Sequence, residues 1–200
     1  MSHEGTLQFY DTQSVNLIER YDSATMTSLH SILIKHIPKK SNVLDIGFGS
    51  GRDLEFLYEH GYNIWGIDPT ERFVEHAKER FVALQDHFFQ EALPFEHHDL
   101  FNRIFDAVIC IAVWMHLPKE HYAQAVDDIL GCLAANATVV ISYSQGKRER
   151  DDGRYFEEVD TEMLSTLFKD RGFYLLEHTH NADSLNRDTL IWHTLVFKDD

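Results

Sequence analysis

Cysteine is nearly missing from this chain: Cys110 and Cys132 are the only two in 200 residues. One sits inside an apolar run and the other in a helical pattern, so both read as buried thiols. They imply no disulfide framework, which suits a reducing cytosol, and a cytoplasmic location is the expectation. Long apolar runs are absent too. No stretch approaches membrane-spanning length, and residues 1–10 are polar, without the apolar heart of a secretion signal. Positive charge is scarce: Lys and Arg number 18 against 33 Asp and Glu, a formal net charge of -15. The acids are spread along the chain, and their field repels phosphate backbones and anionic membranes alike. Neither nucleic acid nor membrane is therefore an expected partner; a small molecule or a protein is. Repeats, low-complexity tracts and interdomain linkers are also lacking, and the length suits one α/β domain with a full core.

What the chain does have is the run Val43-Leu44-Asp45-Ile46-Gly47-Phe48-Gly49-Ser50-Gly51. An apolar strand meets an acid, and three alternating glycines then turn the backbone into a helix. Glycine lets such a loop take positive φ and lets a ligand touch the backbone, whose N–H groups face a polar or anionic group. The spacing is not the G-x-G-x-x-G of a dinucleotide loop, so a nicotinamide-dependent oxidoreductase is disfavoured. A second strand over residues 62–67 ends in Asp68, where a carboxylate can accept bonds from both hydroxyls of a ribose.

The rest of the chain alternates. Residues 14–36 read as one or two helices, with Leu29, Ile32, Leu33 and His36 at helical spacing. Ser50 and Asp53 suggest a capping box for the helix after the glycine loop, with Leu54, Leu57 and Tyr58 facing inward and Gly61 ending it. Phe73, Ala77, Phe81 and Leu84 mark the next helical face. A short third strand is expected over 87–90, and a fourth, apolar throughout, over 104–112. Leu117-Pro118 opens a helix whose buried face is Tyr122, Val126, Ile129 and Leu133. A fifth strand follows at 138–143, then a charged mobile loop at 145–154, a helix at 161–170, and strands at 173–179 and 189–197 forming a hairpin.

These features together resemble the class I S-adenosylmethionine (SAM)-dependent methyltransferases. Asp45 with the glycines resembles the family's first motif, and Gly66-Ile67-Asp68-Pro69-Thr70 its second. Gly49-Ser50-Gly51-Arg52-Asp53, Ala112-Val113-Trp114-Met115-His116-Leu117-Pro118 and Asp183-Ser184-Leu185-Asn186-Arg187 with Trp192 resemble a small bacterial-type subset. The resemblance runs over residues 9–198. One departure is Leu133-Ala134-Ala135-Asn136-Ala137, where many relatives have a Pro-Gly-Gly turn; Asn tolerates the left-handed conformation such a turn needs. The resemblance implies a Rossmann-like α/β fold, a seven-stranded, mostly parallel sheet with an antiparallel last strand and helices on both faces. Residues 1–41 would form a helical lid or substrate segment on a SAM-binding core at 42–200, within a single domain. It implies SAM as cofactor and S-adenosylhomocysteine (SAH) as product.

The expected cofactor residues are Asp45, Gly47, Phe48, Gly49, Gly51, Arg52, Asp68, Pro69, Glu91 and Val113. Glu91 is placed there by the family's habit of meeting the adenine amino group with an acid; an exposed loop carboxylate is the other reading. Methyl transfer from a sulfonium is an in-line displacement that needs alignment and dryness and no metal. Trp114, Tyr10 and Tyr21 are candidates for a cation–π contact with the sulfonium, against ordinary packing. His116, just before a helix N-terminus, is the candidate general base; a turn anchor is the alternative. Arg154, Arg187 and Trp192 are candidates for contact with the acceptor. His97-His98-Asp99 and His178-x-His180 lack a matching structural-zinc ligand set, and solvated histidines are expected. The reading is a methyltransferase acting on a small molecule. A protein side-chain methyltransferase and a non-catalytic SAM- or SAH-binding module stand as alternatives.

Overall fold

A computed structural model describes residues 3–96, 104–147, 152–183 and 189–199. Seven strands form one sheet in the order β3-β2-β1-β4-β5-β7-β6. They are β1 (Asn42–Ile46), β2 (Asn63–Asp68), β3 (Phe88–Gln90), β4 (Phe105–Ile111), β5 (Leu133–Gly146), β6 (Phe173–Ala182) and β7 (Leu190–Asp199). The first five run parallel, and β7 is antiparallel to both its neighbours, β5 and β6. Strands covered on both faces must be apolar on both, which is why β4 is buried almost throughout.

The period of two sorts the core into two layers. Leu44, Ile46, Val108, Cys110, Ile141, Leu195 and Phe197 face helices α5 (Tyr122–Gly131) and α6 (Thr161–Lys169). Val43, Ile64, Ala107, Ile109, Val140 and Val196 face α2 (Thr27–His36), α3 (Arg52–Glu59) and α4 (Glu71–Arg80). Both thiols are buried. α2 is thus part of the layer on the sheet, through Leu29, Ile32 and Leu33. α1 (His3–Asp22) lines the cavity at the carboxyl ends of the strands and reaches further toward the start of the chain than the apolar spacing predicts. Among the described residues, no helix is long and apolar enough to cross a membrane.

Several local expectations need correcting. α3 begins after Gly51, which holds the left-handed conformation (φ 80) and caps without a side-chain bond, so Ser50 and Asp53 form no capping box. Asp53 is spent on His30 and Arg52 instead. Tyr58 is 49% exposed and not on the inner face. Leu84 falls in a separate 3-10 segment, Val82–His87, beyond the end of α4. Gln145 and Gly146 belong to β5, paired with Ile191 and Leu190, because the long antiparallel β7 keeps supplying partners where a parallel neighbour would have ended. Of the expected loop, residues 148–151 lie outside the described residues. Asn136 does take the left-handed conformation, φ 62, inside β5, where the pairing with β4 jumps from Leu133 to Thr138.

Candidate functional site

The order reverses between β1 and β4, and the crevice at such a switch point is where open α/β sheets take ligands. A cavity of about 1130 Å³ lies there, bounded by the ends of β1, β2 and β4, the β5–β7 pair, α1 and the segment around residues 152–156. Ligand pockets usually measure roughly 300–1,000 Å³, so this one has room for two small molecules side by side.

Its floor is backbone. The N–H of Gly47 donates to the Ile67 carbonyl (2.7 Å), which folds the glycine loop across the end of β2. Gly47 and Gly49 have φ of 72 and 57. A Cβ on Gly47 would stand 2.3 Å from Val113 Cγ2, so the end of β4 closes on a surface that only glycine presents. The same logic explains Phe48, whose ring occupies the space beside Gly66, 2.6 Å from where a Cβ there would sit. Asp45, Gly47, Phe48, Gly49, Arg52, Asp68, Pro69, Glu91 and Val113 all line the cavity. Gly51 does not; it is the helix cap just behind the loop.

Three buried carboxylates sit beneath that floor. Asp68 is 4% exposed and accepts the N–H of Gly49 through Oδ2 (2.9 Å) and of Thr70 through Oδ1 (2.8 Å). Burial pushes it up to about 6 against the pull of those donors. Asp45 is raised well above the carboxylate range, first by burial and then by Asp53 and Asp68, and its Oδ1 is buried with no hydrogen-bond partner. Burial raises Asp53 as well, but bonds from His30 and Arg52 outweigh it and hold the group below its ordinary value. Arg52 also donates to the Tyr21 carbonyl (3.2 Å), tying α1 to the loop. Glu91 is no exposed loop carboxylate: it is 7% exposed, and its Oε1 accepts the N–H of Ala92 (2.9 Å).

The roof is made of side chains. His116 closes a 3-10 turn, Trp114–His116, well before α5 starts at Tyr122, so an α-helix N-terminus does not govern it as expected. Its Nδ1 faces the Tyr155 carbonyl at 2.8 Å. A carbonyl only accepts, so Nδ1 carries the hydrogen, and in the neutral ring Nε2 accepts from the Tyr10 hydroxyl at 3.0 Å. Arg154 lies over Phe9 (4.4 Å to the ring centre), donates to Tyr10 (3.4 Å) and is chelated by Asp152. Tyr155 N–H donates to Thr6 Oγ1 (2.8 Å), so α1 and this segment close over the cavity together. Tyr10, Tyr21, Arg154 and Trp192 line it; Arg187 lies outside the described residues. Trp114 is a correction. Its indole is fully buried beside Tyr122 (5.2 Å between rings) in the α5 layer, because successive side chains of the tight turn diverge to opposite sides.

Some lining residues escaped the sequence reading. Ser142 and Ser144 on β5 and Thr194 on β7 face the cavity, and their signal was available: polar residues at period two inside apolar strands. Ala112 at the end of β4 has φ 63, unusual for a residue with a Cβ. On the far face of the hairpin, His178 and His180 are joined by His193 of β7, and His178 and His193 are half-buried and hydrogen-bonded (3.1 Å). His180 is exposed, as expected, whereas His178 is half-buried, because strand pairing brings in a partner distant in sequence. His97, His98 and Asp99 lie outside the described residues.

A family model described as a methyltransferase domain matches residues 18–178. An uncharacterized methyltransferase of Alkaliphilus oremlandii is 24% identical over 179 residues, 88% of this chain and 74% of that one. A Burkholderia thailandensis 1,6-didemethyltoxoflavin-N1-methyltransferase, solved with 1,6-didemethyltoxoflavin and SAH, superposes with a TM-score of 0.77 at 16% identity, covering 98% of this chain and 88% of that one. A magnesium protoporphyrin IX methyltransferase from Synechocystis, solved with SAM, gives 0.71 at 16% identity over 97% and 95%. With the glycine loop, the acid-tipped second strand and the antiparallel seventh strand already in place, the chain belongs to the methyltransferase-domain family and is a methyltransferase of the class I, Rossmann-like kind.

Proposed function

We propose that the floor of this cavity holds SAM and that its roof holds a small-molecule acceptor. The observation that carries the reading is the continuity of one cavity from Asp68 and the glycine loop to the Tyr10–His116 pair. The residues fit the cofactor. Asp68 has acceptor capacity left for a ribose diol, since two ionised oxygens offer about four lone-pair sites and backbone donors use two. The unpartnered Asp45 Oδ1 suits a donor such as the methionyl ammonium. Pro69 and Glu91 flank the place of the adenine, and Phe48, Val113 and the tight Gly47 bend supply an apolar, close-fitting wall.

SAM held there would supply an electrophilic methyl group to an acceptor lone pair, with the electron pair of the broken carbon–sulfur bond staying on sulfur to give SAH. The chain's part is to align, to exclude water and to take a proton where the acceptor carries one. α1 and residues 152–156 exclude water. His116 Nε2 takes the proton through the Tyr10 hydroxyl, and the Tyr155 carbonyl stabilises the imidazolium that results. Tyr10 and Tyr21 turn aromatic surface toward the sulfonium side. Arg154, Trp192, Ser144 and Thr194 surround the acceptor. No metal enters this scheme.

The test has two arms. Calorimetry with SAH should register one site per chain, and no uptake ends the reading. Methyl-labelled SAM, incubated with the chain and a cell extract, should then place label in the small-molecule fraction. Label in protein bands would move the acceptor to a protein side chain, and uptake of SAH without transfer to any fraction would make the chain a binding module.

A further inference from the structure

Away from the cavity, the β6–β7 hairpin gathers three histidines on one face. His178 and His180 alternate along β6, and His193 is the cross-strand partner of His180. Their ring centres lie 4.3, 4.5 and 5.3 Å apart. One nitrogen from each falls within 4.8 Å of the others, and the closest pair, His178 Nε2 and His193 Nδ1, are 3.1 Å apart. Two zinc–nitrogen bonds of about 2.0–2.1 Å in a tetrahedron put ligand nitrogens about 3.3–3.4 Å apart. Two of the three are therefore almost at metal-ligand spacing. The third, on exposed His180, lies within 4.8 Å of both.

We propose that His178, His180 and His193 bind one divalent transition-metal ion of the zinc class. Imidazole nitrogen suits zinc, copper, nickel and cobalt, whereas magnesium and calcium take oxygen. The ring of Tyr143 stacks flat on His193 (5.2 Å, 5° between planes), and Tyr143 is itself held by Thr161, so one ligand is oriented before any ion arrives. A chain of formal charge -15 also attracts cations.

The ion would be a clip and not part of methyl transfer. Asn181 and Trp192, the pair next to His180 and His193 in the register, point to the other face and line the cavity. The site therefore cross-links the two strands from behind and fixes the wall against which the acceptor lies.

The test uses the untagged chain and zinc alone. Competition with a chelating indicator at pH 7.5 should show one equivalent bound, and cobalt should give the visible absorption of a tetrahedral site. His180→Ala alters an exposed side chain and should weaken zinc on the order of a hundredfold while leaving SAH uptake intact, which also reports that the variant is folded. His178→Ala should do the same. No retained equivalent in the parent chain, or equal zinc affinity in the parent and in both variants, would overturn the assignment.

Discussion

Affinity for the cofactor product should depend on pH through Asp68. The folded, ligand-free chain holds this carboxyl at about 6 against an ordinary 3.8. That difference of about two units is worth roughly 3 kcal/mol. The sign follows from which state binds the proton more tightly. The raised group keeps its proton in the native state and loses it sooner when unfolded. Below pH 4 the group is protonated in both states and costs nothing; a penalty grows between pH 4 and 6 as the unfolded state alone ionises, and it reaches roughly 3 kcal/mol above pH 6. Ribose hydroxyls donate to the ionised form, so at low pH binding must first expel a proton. With the group half-ionised near pH 6, SAH should bind about tenfold more weakly at pH 5 than at pH 7, with a plateau above. Calorimetry at pH 5, 6, 7 and 8 measures it. Asp68→Asn removes the titration and the charge assistance; it should flatten the profile and weaken binding at pH 7 by roughly 10- to 100-fold. Equal affinity of the parent chain at pH 5 and 7, or an Asn variant that keeps the step, would refute the placement of Asp68 on the diol.

Gly47→Ala should cost about 1–3 kcal/mol and abolish SAH uptake, since φ is 72 and the new methyl stands 2.3 Å from Val113; denaturant melts and calorimetry read the two effects. The double variant Gly47→Ala with Val113→Ala should recover part of the stability, because the collision goes while the strain stays. His116→Ala should lower the rate of label transfer to the acceptor fraction by roughly 10²-fold or more and leave SAH affinity unchanged. Unchanged transfer would reduce His116 to an anchor for residue 155.

Legibility in the sequence followed the range of the interactions. The glycine loop, Asp68 and the strand alternation are local, each set by a few adjacent residues, and they were readable as strand, turn and helix. The floor of the cavity was therefore visible before any fold. What lay hidden depends on pairing across the chain. The Tyr10–His116 bond joins α1 to the end of β4. The burial of Trp114 depends on which way a 3-10 turn rolls, and helical or strand periodicity says nothing about that. His193 meets His178 only because β7 inserts between β5 and β6. The start of α1 was missed for another reason: among its described residues only Leu17 is a deeply buried apolar side chain, so little apolar period is written there.

That sparse burial has a mechanical consequence. α2 anchors itself through Leu29, Ile32, Leu33 and, just past its end, Ile37. α1 offers Leu17, helped by partly buried Phe9, Tyr10, Ile18 and Tyr21 and by polar ties at Thr6, at Tyr10 and from Arg52 to the Tyr21 carbonyl. An element with few buried apolar contacts opens at a free energy well below that of global unfolding. α1 also lines the cavity, and on the proposed reading it moves as an acceptor enters. Amide hydrogens in His3–Asp22 should therefore exchange at least about tenfold faster than those of Thr27–His36 in the free chain. SAH should slow that exchange through Tyr21 and Arg52, which adjoin the glycine loop, and an acceptor should slow it further around Phe9 and Tyr10. Exchange followed by mass spectrometry on the intact chain measures it. Equal protection of the two helices in the free chain would mean that α1 is a fixed wall of the cavity.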